Sequence, residues 1–235
     1  MARPSIYQGR DPREIPAYRV ADAARYVGVP AATLHSWVAG RTYRRQHDIG
    51  SFQRLITPAD PENKRLSFYN VVEAHVLRSL RTKHAVPLKH VRPAIAYAEM
   101  KLGIPRLLLS EELQTAAGDI FIEQLGSLVN LSKSGQLAIK QVLDALLKRV
   151  EWDSSAIPIR LYPVLDHPRE SETRAIVIDP SVSFGRPTIS GSGILTSVVV
   201  QRIDAGESLR SLAEDYGLSE EQLNAAILFE QQRAA

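Results

Sequence analysis

One spacing occurs twice in the 235 residues: an alanine, a glycine four positions on, a leucine six further, and a Trp or Ala three after that. In "VADAARYVGVPAATLHSWVAGR", residues 20–41, the set is Ala24, Gly28, Leu34 and Trp37. In "LRSLAEDYGLSEEQLNAA", residues 209–226, it is Ala213, Gly217, Leu223 and Ala226, with Leu209 matching Val20. Two short helices packed closely need a small residue midway along the first, a residue tolerant of left-handed backbone in the turn, and apolar residues facing inward from the second. Pro30 suits the start of a second helix, where its missing N–H would be unpaired anyway. Ser219 with Gln222 forms a capping box. The spacing predicts two helix-turn-helix units; the alternative for each is a helical hairpin that only builds core.

Charge separates the copies. Residues 18–45 carry five arginines (19, 25, 41, 44 and 45) against Asp22 alone, whereas residues 207–230 carry Arg210 against six acids. Over longer spans the balance is +10 for residues 1–110 and −6 for residues 151–235. A basic segment neutralises phosphates and releases counterions, whereas an acidic one suits a basic protein surface. The first copy is therefore the one suited to DNA. On its second helix Leu34 and Val38 lie inward with Trp37 beside them, leaving Thr33, His35 and Ser36 for base edges. Arg41, Arg44 and Arg45, with Tyr43 among them, follow where phosphates would lie.

The next stretch, residues 52–68, "FQRLITPADPENKRLSF", reads as a two-stranded wing with Lys64 and Arg65 near its tip and on phosphates. Asn70 is expected to cap a helix with Glu73 three residues on and Val72, Val76 and Leu80 along one side. A helix over 88–102, with Gly103 as its C-cap, is followed by three β-like pieces, "RLLL", "DIFIEQ" and "LVNLS", the last two joined by a loop holding Gly126. Residues 134–150 predict a helix with Leu137, Val142, Leu146 and Val150 among its apolar positions, and residues 157–164 alternate as a strand. "LDHPRESETR" is the most linker-like stretch, placing a boundary near residue 170.

Gly191-Ser192-Gly193 raises the question of a phosphate cradle. A dinucleotide fingerprint needs a third glycine and a β-α-β unit, but position 196 is Thr and no second parallel strand follows. The glycines read as a turn from a strand at Ile189 into a helix beginning near Thr196. The six histidines (35, 47, 75, 84, 90 and 167) show no metal-ligand spacing, and the absence of cysteine removes thiolate chemistry and disulfides. No catalytic set, cofactor or metal is expected, so the chain is not read as an enzyme. Without an apolar run of about 18 residues or a secretory leader, no membrane partner is expected and the address is cytoplasmic.

Two resemblances attach to these residues. "YRVADAARYVGVPAATLHSW" with the wing and "LSFYNVVEAHVLRSLR" resembles the MerR-type DNA-binding domain. Residues 175–231, through Asp179-Pro180, Gly185-Arg186-Pro187, Ile189, Gly191, Gly206, Ser208 and the 216–226 helix-turn-helix, resemble a small all-helical antitoxin domain encoded beside PIN-like ribonuclease toxins. That family usually has Gly-Thr-Arg where this chain has Gly191-Ser192-Gly193, so the basic residue of the step is missing here. The whole resembles a VapB-type antitoxin that represses its own operon. The resemblance implies a mainly α fold with small β elements (α+β), in three parts: 1–85, a winged helix-turn-helix; 86–170, a mixed α/β region and linker; and 171–235, a helical antitoxin domain. It implies operator DNA and a PIN-like ribonuclease toxin as partners, and a homodimer on a two-fold symmetric operator. Arg160 and Arg186 are candidates to reach the toxin's metal-binding acids. The rival readings are a MerR-like regulator whose middle region senses a small ligand, with no toxin, and a nucleotide-using enzyme built on the Gly-x-Gly.

Overall fold

A computed structural model describes residues 7, 9–44, 49–52, 54–82, 88–165 and 174–232; for 41–44, 49–52, 81, 82 and 88 the backbone alone is described. The described residues are mainly helical, with three two-stranded antiparallel ribbons, as the mainly α reading with small β elements requires. The expected boundary near residue 170 lies outside the described residues.

Helices α1 (Val20–Val27) and α2 (Ala31–Ala39) form the first helix-turn-helix. The ribbon of β1 (Arg41–Arg44) and β2 (Ile49–Phe52) follows at once, with Arg41 opposite Phe52 and Arg44 opposite Ile49. The two-stranded element thus sits earlier than the 52–68 expected from apolar ends around a polar centre. In that stretch the chain makes isolated bridges, Asp60 with Arg65 and Leu66 with Tyr18, around a tight turn. The apolar residues that mimicked strands, Leu55, Ile56 and Leu66, are core contacts of an irregular segment.

Helix α3 (Phe68–Thr82) begins three residues earlier than its Asn-x-x-Glu pattern suggested. Ser67 is the cap: its hydroxyl accepts the Asn70 N–H at 3.4 Å, and the Asn70 side-chain oxygen accepts the Ser67 N–H at 3.1 Å. That is a reciprocal box with Asn in the third position. The middle region is helical up to Leu147: α4 (Val91–Leu102), α5 (Ala116–Val129) and α6 (Lys133–Leu147) pack together and on α3. None of the three β-like pieces is a strand. Leu107–Leu109 is a 3-10 turn, "DIFIEQ" lies inside α5, and "LVNLS" holds its last turn, a left-handed Asn130 and the Ser132 cap of α6.

Gly126, read as a loop residue, is in the helix, where α6 approaches it closely. A Cβ would stand 2.4 Å from Gln136 Cδ on α6, as one at Gly118 would stand 2.0 Å from the Leu113 carbonyl oxygen. Close helix approach, and burial of Phe121, Ile122 and Leu125, override the β-like composition. The α6 face is also turned: Ile139, Leu143, Leu146 and Leu147 are buried, and Leu137 is 59% exposed.

Strands β3 (Val150–Trp152) and β4 (Pro158–Leu161) pair with an irregularity at Glu151–Trp152. Leu161 then exchanges two backbone hydrogen bonds with Ile178, 3.1 and 2.8 Å, carrying pairing toward the ribbon of β5 (Ile176–Val177) and β6 (Thr188–Ile189). Gly191 and Gly193, both at positive φ, turn the chain from β6 into α7 (Thr196–Asp204), as the turn reading expects. The chain continues through α8 (Leu209–Tyr216) and α9 (Glu220–Gln231), the second helix-turn-helix. One continuous core runs from Tyr18 to Phe229.

His75, on α3, is fully buried and its Nε2–H donates to the Leu146 carbonyl at 2.9 Å, while Nδ1 has no partner among the described residues. Burial, with Arg78 and Arg149 nearby, pushes its pKa from 6.5 down to about 4. Between those values the unfolded chain holds a proton that the folded one refuses, so stability falls as pH drops through the window. Equilibrium unfolding should show His75→Leu less stable than wild type at pH 7 but less acid-sensitive, by about 3 kcal/mol between pH 7 and 4. Parallel curves for the two proteins would remove His75 as the cause.

Candidate nucleic-acid interface

The two helix-turn-helix units share their backbone chemistry as well as their spacing. Gly28 and Gly217 both close a first helix at φ 64°. The next N–H turns back onto the alanine carbonyl in each case, Val29 to Ala24 at 3.0 Å and Leu218 to Ala213 at 3.1 Å. This is the left-handed C-terminal motif that glycine favours. The Ser219–Gln222 capping box is present, whereas α2 starts at Pro30 with no side-chain cap. Leu34, Trp37, Leu223 and Ala226 are all fully buried, so each second helix is held by its expected face.

On α2 the exposed residues include His35; Thr33 and Ser36 are half-buried, and the Ser36 hydroxyl donates to the Thr33 carbonyl at 2.7 Å. Lys64 stands with Nζ 3.4 Å from His35 Nε2, although the two are 29 residues apart. Its presentation depends on the tight turn over 60–65. Asp60 accepts from both the Asn63 N–H and its side-chain amide, which holds the carboxyl below the usual carboxylate range, and Lys64 itself adopts φ 51°. Arg65 is half-buried and bridges Asp60 through its backbone.

Arg41, Tyr43 and Arg44 lie on β1, paired through the backbone with Phe52, Gly50 and Ile49. Arg45 lies outside the described residues. The segment after β2 is pinned to the end of α2, where the Trp37 carbonyl accepts the N–H groups of Leu55 at 2.7 Å and Ile56 at 3.0 Å. Exposed Arg54, which no motif singled out, sits at that joint, so ribbon and helix are positioned as a unit.

Arg25, counted among the five arginines of the first copy, faces the other way. It meets Glu230 on α9 at 2.8 Å and lies 5.0 Å over Tyr26 and 5.5 Å over Phe229. Tyr26 and Phe229 stack at 5.9 Å, which seats the second helix-turn-helix on the back of the first. Nearby, the Tyr18 hydroxyl donates to the Gly185 carbonyl at 3.0 Å, and a Cβ on Gly185, at φ 73°, would stand 1.9 Å from that hydroxyl. No local pattern announces this seam, because its partners are some 200 residues apart.

Of the other two candidate arginines, Arg160 is held between Asp179 at 2.8 Å and Glu151 at 2.9 Å. Arg186 is exposed and, among the described residues, hydrogen-bonds within its own turn, donating to the Ser183 carbonyl at 3.2 Å. That turn displays Val182 and Phe184, 37% and 57% exposed, with Ser183 and Phe184 at φ 49° and 58°. Two adjacent non-glycine residues in left-handed backbone are strained.

Comparison with known proteins adds two family matches. Residues 16–95 match a family described as "Putative DNA-binding HTH domain", and residues 176–229 match one described as "Protein of unknown function (DUF433)". In Mycobacterium tuberculosis the chain is 29% identical to a protein named "Putative antitoxin VapB45" over 233 residues, 91% of this chain and 93% of that one. It is 30% identical to "Uncharacterized protein Rv2308" of the same organism over 224 residues, 92% of this chain and 89% of that one. The fold is shared with the crystal structure of Rv2018 from Mycobacterium tuberculosis, with a TM-score of 0.67, 23% identity, and coverage of 91% and 97% of the two chains.

The two turn glycines differ in surroundings. A Cβ on Gly28 would meet Arg78 Nη1 at 2.8 Å, and that guanidinium donates to the Val27 carbonyl, whereas one on Gly217 would meet nothing within 4 Å. Both Gly→Ala variants should lose about 1–2 kcal/mol to left-handed strain, with Gly28→Ala losing roughly 1 more for the disturbed hydrogen bond. Chemical denaturation of both checks the order; an equal or reversed order would show that Arg78 moves aside freely.

Proposed function

The chain belongs to one family with the mycobacterial protein Rv2308, and from that premise we propose that it is a DNA-binding antitoxin that represses its own operon and neutralises a PIN-like ribonuclease. The observation that carries the DNA half is the meeting of Lys64 with His35 on the open side of α2, beside the ribbon that bears Arg41, Tyr43 and Arg44. Thr33, His35 and Ser36 address base edges; Arg41, Arg44, Arg45, Lys64 and Arg65 hold phosphates, with the ribbon as a wing. The winged helix-turn-helix occupies 1–85, and a two-fold operator is met by a homodimer. The match of residues 16–95 to a DNA-binding model and the antitoxin name of one relative support this reading.

The toxin half rests on the 171–235 domain. Its exposed turn at Val182–Arg186 offers an aromatic together with a guanidinium that has no acid partner among the described residues, suited to the acidic metal-binding cleft of a nuclease. Arg160 is the weaker of the two candidates, since its guanidinium already serves Asp179 and Glu151. Cutting the chain at residue 170 is a poor test, because Phe229 and Ile178 belong to the common core and their loss would uncover it.

Fluorescence anisotropy on the operator duplex at several salt concentrations tests the DNA half. Arg44→Ala with Arg45→Ala should weaken binding and lower the slope of log affinity against log salt by roughly two, near 0.9 per lost phosphate contact. Arg25→Gln should leave the slope alone. An unchanged slope in the double variant would take the ribbon out of the interface.

The toxin half is read by growth rescue during toxin co-expression. Phe184→Ala with Arg186→Glu should fail to rescue while binding the operator as wild type does; full rescue would place the toxin contact elsewhere.

A further inference from the structure

Between α3, α4 and the segment 55–59 lies a pocket of about 560 Å³ at the joint of the helix-turn-helix and the middle helices. Leu55, Ile95 and Leu108 give it an apolar part, and Tyr69 lines it too. Carboxylates from two elements converge on it, Glu73 of α3 and Glu99 of α4, with exposed Glu14 at the rim.

Glu73 is unusual for a carboxylate. Its side chain is 13% exposed, and burial pushes its pKa up. Its partners are the Asn70 amide at 2.8 Å and the Arg106 guanidinium at 3.2 Å. Glu99 accepts the Leu107 N–H on Oε1 at 3.0 Å, and its second oxygen has no partner among the described residues.

Two guanidiniums also face the pocket, but they differ in freedom. Arg92 is committed to the carbonyls of Arg54 and Leu55, which fastens α4 to the segment following β2. Arg106 is 48% exposed, lies 5.1 Å over the Tyr69 ring and reaches Glu73 by one long contact from a left-handed residue, φ 54°. Its head therefore sits where a cation is favoured twice over, against a buried carboxylate and on an aromatic ring that Arg13 also meets at 5.7 Å. A diffusible cation standing in its place would meet the same carboxylate and ring.

We propose that this pocket binds a small organic cation, an amine or amidine on an apolar body, with its charged head between Glu73 and Glu99 against Tyr69 and its body on Leu55, Ile95 and Leu108. The inference does not rest on the DNA-binding or antitoxin reading and stands or falls by ligand binding alone.

The test is titration calorimetry of the full chain with phenethylamine and agmatine, using phenylacetate and phenethyl alcohol as anionic and neutral counterparts. The amines should bind saturably at one site per chain, and the counterparts should not. Glu99→Gln, which keeps the acceptor for Leu107 and removes the charge, should weaken amine binding at least roughly tenfold. Ala96→Trp, which fills the pocket from an exposed α4 position and leaves both carboxylates in place, should abolish it with circular dichroism unchanged. No heat from either amine at millimolar concentration, equal binding of phenylacetate, or wild-type amine affinity in both variants would each overturn the proposal.

Discussion

The stack of Phe229 on Tyr26, closed at its edge by the Arg25–Glu230 pair, decides how the two halves of the chain meet. Helix α1 is a short amphipathic helix that buries Ala23, Ala24, Tyr26 and Val27. It packs on α2 and α3, and its Tyr26 reaches Phe229 of α9. Glu230 and Arg25 have side-chain exposures of 16% and 26%, so removing either would leave a partly desolvated charge behind. Because Tyr18 and Gly185 lock the same seam a few residues away, the second helix-turn-helix is held as a cover on the first. The side of α2 that carries His35 is left open.

This arrangement changes what the charge pattern means. The cations at the start of the chain are divided by the fold: Arg25 is drawn to the acidic C-terminal helix, while Lys64 is brought to His35 of α2 by the 60–65 turn. The acids of the second copy are divided too. Glu230 serves the seam, Glu207 and Asp215 are tied by Arg202, and Glu214 meets Arg210. Net charge along a chain says which halves attract one another as readily as it says what they bind.

The helix-turn-helix units were readable because their constraints are local. A glycine at φ 64° and an alanine whose carbonyl takes the returning N–H lie within six residues, and the Ser219–Gln222 box within four. The turn at Gly191–Gly193 was legible on the same grounds. The three β-like pieces of the middle region were misread because their β-branched and aromatic residues obey a helical period once α4 and α6 flank them. Gly126 there answers to Gln136 on another helix rather than to a turn. The two-stranded element was misplaced because the apolar ends of 52–68, Leu55, Ile56 and Leu66, read like strand residues around a polar turn but are buried and bonded to Trp37 and Tyr18 from outside their own segment.

The amino-acid order alone was enough for two short helical pairs, their caps, a mainly helical class and the opposite charge of the two copies, since each depends on contacts within about one turn or on composition. Folding in three dimensions settled which arginine faces inward, where the ribbon lies, how His35 and Lys64 come together, and that Glu73 and Glu99 share a cavity. Those outcomes require groups tens to hundreds of residues apart to compete for the same buried surface, and no local period records the winner.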